Sequence, residues 1–107
     1  MKPDLAARIG VPMNAIKAFC DRWEVEELAL FGSVLRDDFG PDSDIDVLIR
    51  FRTERTPGLF GIAGMERELA ELLDRRVDLV TRTAIEESRN YIRRKAILES
   101  ARVVYAP

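Results

Sequence analysis

Two short apolar runs separated by a polar loop constrain this chain more than anything else in it. Leu28 to Phe31 reads as a strand that Gly32-Ser33 breaks, and after the loop residues FGPDS a second strand runs from Asp44 to Phe51. The second strand opens on two aspartates one residue apart, Asp44 and Asp46, among Ile45, Val47 and Ile49. Residues two apart on a strand share a face, so the acids point one way and the aliphatic residues the other. Neighbouring carboxylates repel, the more so when water is withdrawn, and a cation between them reverses the sign of the interaction. A lone Asp-x-Asp is most often a solvated strand entry, so its surroundings decide the reading.

Three neighbours favour a site. Gly32-Ser33 stands where a strand gives way to a turn of helix, Ser33 to about Asp37; glycine admits close backbone approach, and free N–H groups at a helix start attract phosphate. Arg36, one turn on, can reach the same anion, with Asp37 or Asp38 as its alternative partners. A third apolar strand, VDLV at 77–80, again carries an acid, Asp78. If the second and third strands are neighbours, Asp78 joins the pair and the group can hold a second metal. With no histidine anywhere and one cysteine, such a site is built from carboxylates, which suits Mg²⁺ or Mn²⁺.

The remaining pattern frames these strands with helices. Residues 3–9 form a short helix stopped by Gly10, and Met13, Ile16, Phe19, Cys20 and Trp23 recur at helical spacing over Pro12 to Trp23. Ile62, Met65, Leu69, Leu72 and Leu73 mark a helix ending near Asp74. Ile85, Ile92, Ala96 and Ile97 mark one or two more, joined near Asn90, before a last strand, RVVY at 102–105. Strands alternating with helices predict an α/β (α+β) fold, and 107 residues suit one domain over 1–107 with one core. Cys20 lies on an apolar helix face, a packing position, and the absence of a disulfide framework fits a reducing cytoplasm. No apolar run is long enough for a membrane span, and MKPDLAARIG lacks the apolar stretch of a signal peptide.

Two rival patterns fail on their own terms, and two more are weaker readings. Asp42, Asp44 and Asp46 imitate the start of an EF-hand loop, but its required Gly and Glu positions hold Val47 and Thr53. GLFGIAG at 58–64 is neither a dinucleotide fingerprint nor a P-loop, and reads as flexible entry into the following helix. LAARIGVPMNAIKAF at 5–19 mimics a helix-turn-helix. Its cations are offset by nearby acids and the net charge is −2, so nucleic acid is not the expected partner. The basic run Arg89, Arg93, Arg94, Lys95 is either a solvated helix face or a site for triphosphate, RNA or an acidic partner.

Gly32-Ser33, Arg36, Ser43-Asp44-Ile45-Asp46-Val47 and Val77-Asp78-Leu79-Val80 together resemble the DNA polymerase β-type nucleotidyltransferase superfamily, and within it the minimal nucleotidyltransferases, from about Phe19 to Tyr105. The resemblance implies a small mixed β-sheet packed against helices. It also implies two-metal transfer of a nucleotidyl group, by family default AMP from ATP, to a hydroxyl. Asp44 and Asp46 would bridge both metals and Asp78 would complete the one that activates the acceptor. Ser33 and the Gly32 backbone would hold the β- and γ-phosphates, and Ser43 would orient the first acid. Many members have Arg-Gly where this chain has Arg36-Asp37. Larger members add acceptor-binding domains, so here a partner is expected to supply the acceptor. Minimal members often pair, as antitoxins, with a HEPN-domain toxin and several modify it with AMP, so a hetero-oligomer is expected. The alternative is a non-catalytic binding antitoxin of the same fold.

Overall fold

The computed structural model describes residues 10, 12–36, 39–40, 42–53 and 57–106. The first helix, α1, spans Met13–Arg22, with Pro12 as its N-cap in extended conformation. Its Ile16, Phe19 and Cys20 are buried, the i, i+3, i+4 stripe that the sequence predicts. The expected helix at residues 3–9 lies outside the described residues. Glu24, at φ 58°, turns the chain from α1 into strand β1, Val25–Phe31. β1 starts three residues ahead of the predicted Leu28, because Glu26 and Glu27 disguise it. Their carboxylates meet Arg50 on the neighbouring strand, at 3.4 and 3.6 Å.

A single 3₁₀ turn, Gly32–Leu35, follows β1, and strand β2 then runs Ile45–Phe51. Asp44 therefore stands just ahead of the strand instead of opening it. Helix α2, Leu59–Leu73, is the crossover that lets β3, Val77–Thr81, lie parallel to β2. The glycine-rich residues 59–64 form the first turns of α2 and are not a flexible entry. At Gly61 a Cβ would come within 2.3 Å of Pro57 Cβ, so the missing side chain lets Pro57 pack on that first turn. The segment after β3 forms two helices, α3 (Arg82–Glu86) and α4 (Tyr91–Ser100), with Asn90 capping the second. β4, Arg102–Tyr105, closes the order β3-β2-β1-β4, with β1 antiparallel to both its neighbours. The sheet is mixed and flanked by helices, as expected.

The two faces of the sheet are unequal. Leu28, Leu30, Ile45, Val47, Ile49, Val77 and Leu79 form the main core with Ile16, Phe19 and Cys20 of α1 and Met65, Leu69 and Leu73 of α2. Truncating a fully buried member such as Leu69 to alanine costs about 2–5 kcal/mol. The other face carries a smaller cluster of Ala29, Phe31 and Leu48 under Ile85 and Ile97. The alternation that sends Ile45 and Val47 into the main core sends Asp46 to this second face, and likewise Asp78 between Val77 and Leu79. Apolar cover ends where these acids begin. Among the described residues no helix is long and apolar enough to cross a membrane.

Candidate active site

The parallel register sets Asp46 directly opposite Asp78, one step after the opening pair Ile45 and Val77. Asp46 is partly buried and Asp78 exposed. Burial raises the Asp46 carboxyl above the usual aspartate range, and the charges of Asp78 and then Asp44 push it further; Arg36 and Arg93 oppose the shift. Four charged groups thus act on one carboxylate: two acids and two arginines around Asp46, drawn from the loop before β2, from β3, from the turn after β1 and from α4.

Gly32 forms the floor beneath Asp46. Its φ is +75°, and a Cβ there would lie 2.2 Å from Asp46 Oδ2, so only glycine fits. The Ser33 hydroxyl donates to the Asp44 carbonyl oxygen at 3.2 Å, tying the turn after β1 to the entry of β2. Arg36 is exposed at the end of that turn, its N–H donating to the Ser33 carbonyl at 2.9 Å. Ser43 closes the preceding loop: its N–H donates to Gly40 O, and its hydroxyl accepts from Gly40 N–H, both at 3.1 Å. Asp37 and Asp38, the sequence alternatives for Arg36, lie outside the described residues.

Two residues missing from the sequence reading, Arg75 and Arg76, prepare Asp44. Arg75 donates from Nη1 to the carbonyls of Gly40 (2.8 Å) and Ser43 (3.1 Å), and its guanidinium lies 4.3 Å from the Phe39 ring centroid. It holds the loop that delivers Asp44. Arg76 places Nε 3.0 Å from Asp44 Oδ1. No three His, Cys, Asp or Glu side chains among the described residues converge as a ready chelate. The donor chemistry still fits a hard cation: two facing carboxylates whose mutual repulsion is already expressed at Asp46, and a third within electrostatic reach.

A glycine turn packed against strand-borne acids on a mixed sheet is the arrangement of a nucleotidyl-transfer fold, and the chain belongs to the nucleotidyltransferase domain family, whose model matches residues 12–104. It is a nucleotidyltransferase of the minimal type. The protein adenylyltransferase MntA of Thermococcus cleftensis is 38% identical over 69 residues, 64% of this chain and 68% of that protein. A solved structure assigned to the minimal nucleotidyltransferases is 32% identical, with a TM-score of 0.65 over 92% of this chain and 90% of its own. The fold also matches a chain in the complex of a tri-AMPylated Shewanella oneidensis HEPN toxin with its MNT antitoxin. There the TM-score is 0.62 at 18% identity, covering 96% of this chain and 73% of that one.

Proposed function

We propose that this protein transfers AMP from ATP to a hydroxyl of a HEPN-domain partner, and that it thereby acts as the partner's antitoxin in the cytoplasm. The observation that carries the reading is the facing pair Asp46 and Asp78 on adjacent parallel strands, with the Gly32 backbone against Asp46. The name of the Thermococcus relative and the AMPylated toxin in the Shewanella complex support adenylyl transfer and a HEPN partner.

In this reading Asp44 and Asp46 would hold the Mg²⁺ or Mn²⁺ that accompanies the triphosphate, and Asp78 with them would hold a second. Bound cations would lower the acceptor's pKa and neutralise charge on the departing pyrophosphate. The chain's own residues do the rest. Gly32 leaves room for the Asp46 carboxylate and would offer its backbone to the phosphates, Ser33 fastens the turn to Asp44, and Arg36 and Arg93 supply positive charge near the acids. Ser43 and Arg75 hold the loop in shape.

The test is transfer of labelled ATP to a HEPN-domain protein encoded beside this chain, with Mg²⁺. Label should reach the partner, and Asp78→Asn should remove it by several powers of ten while leaving triphosphate binding largely intact. That size follows if activation of the acceptor supplies several kcal/mol, at about 1.4 kcal/mol per tenfold. Folded Asp78→Asn transferring at the wild-type rate contradicts the mechanism. A tight complex without label would point instead to a binding antitoxin.

A further inference from the structure

We propose that Arg76 is a displaceable counter-ion of the candidate cation site: its guanidinium holds the Asp44 carboxylate until a divalent cation takes that carboxylate over. The inference rests on the reading of Asp44 as a cation ligand and adds a residue that sets the site's affinity.

The β2–β3 ladder gives the geometry. Its first two steps are Ile45 with Val77 and Asp46 with Asp78. Asp44 and Arg76 stand one residue ahead of the first step, and Ile45 N–H donates to the Arg76 carbonyl at 2.9 Å, so the Arg76 backbone is stitched to β2 beside Asp44. On either side of the apolar pair, the ladder therefore presents one acid–base pair and one acid–acid pair. Among the described residues neither Asp46 nor Asp78 is in an ion pair, whereas Asp44 is.

The same geometry makes the contact exchangeable. The Arg76 side chain is 82% exposed and that of Asp44 51%, so water and ions reach both partners. A fixed backbone with a solvated side chain lets the guanidinium leave without disturbing the strand. Exposed ion pairs are weak, so Arg76 would lower cation affinity modestly without closing the site. Arg76 also lines a cleft of about 490 Å³ with Asp44, Glu66 and Arg67, which provides an internal control: Arg67 carries the same charge into the same cleft.

The experiment measures Mn²⁺ binding to the full chain without nucleotide, by electron paramagnetic resonance of the free ion. Arg76→Ala should tighten binding about two- to five-fold, the range expected for losing an exposed pair. Arg67→Ala should change it less, and in an Asp44→Asn background Arg76→Ala should have no effect. Binding that ignores Arg76, responds equally to Arg67→Ala, or shows the Arg76 effect without Asp44 overturns the proposal. If no variant binds Mn²⁺, the cation-site reading itself fails, and this inference with it.

Discussion

Gly32 meets two demands that no other residue satisfies together. Its backbone lies at φ +75°, where an L-residue costs about 1–2 kcal/mol, and its Cβ position falls 2.2 Å from Asp46 Oδ2. Gly32→Ala should therefore lose at least about 1–2 kcal/mol of stability in denaturant titration and move Asp46. Gly40→Ala, where a Cβ meets nothing within 4 Å, should stay within about 0.5 kcal/mol of wild type. Equal effects at the two glycines would contradict the packing against Asp46. Asp46 gives a pH signature of its own. Burial and its two acidic neighbours raise its folded pKa above the unfolded value, so between those values the folded state binds more protons than the unfolded chain. Stability of the metal-free protein is then full below the unfolded value and falls as pH rises through the folded one. Asp46→Asn cannot ionise. In chelator it should be more stable than wild type at neutral pH and lack the loss of stability that sets in as pH rises above the ordinary aspartate range. A variant less stable than wild type at pH 7 would contradict the repulsion.

The basic run on α4 divides once the helix is placed. Asn90 Oδ1 caps α4 by accepting from Arg93 N–H at 3.1 Å, and Ile97, four residues on, packs into the second face with Phe31 and Leu48. Arg93 shares that side of the helix and acts on Asp46. Arg94 instead donates to the Ser88 carbonyl at 3.1 Å and lies 5.6 Å from the Tyr91 ring centroid, fastening the α3–α4 turn. Arg93→Ala should weaken Mg²⁺–triphosphate binding by up to about five-fold in calorimetry, and Arg94→Ala should lower melting temperature more than binding. The reverse pattern would assign Arg93 to a solvated face. The sequence made β2 and β3 legible because aliphatic residues alternate with Asp46 and Asp78, and a charge inside an apolar strand is conspicuous. It hid the start of α2, where glycines read as a breaker but make room for Pro57, and the start of β1, where Glu26 and Glu27 break the apolar run. Arg75 and Arg76 were illegible for another reason. Their partners, Gly40, Ser43 and Asp44, lie some thirty residues away and are brought close by the parallel register alone.

How the parts assemble bears on where the acceptor comes from. The helices cover the main core face fully and the second face only as far as Leu48 and Phe31, so the acids sit at an open margin: Asp44 and Asp78 are exposed and Asp46 partly so. Nothing among the described residues closes over Asp78, the acid assigned to the acceptor side. Transfer needs the acceptor oxygen held near the phosphorus, and an unassisted encounter forfeits the large effective molarity that a bound arrangement supplies. A partner that docks stably recovers it. The chain and a HEPN-domain protein encoded beside it should therefore co-purify and elute together, with light scattering giving a mass above either alone. Transfer should saturate with partner concentration, at a half-point matching the dissociation constant of the complex when chemistry is slow. Asp78→Asn should preserve the complex while abolishing transfer, because it removes a carboxylate and leaves the fold and the surface shape intact. If the chain labels itself at a rate indifferent to added partner, or if the two soluble proteins elute separately, the acceptor is not a docked HEPN protein and the antitoxin role falls.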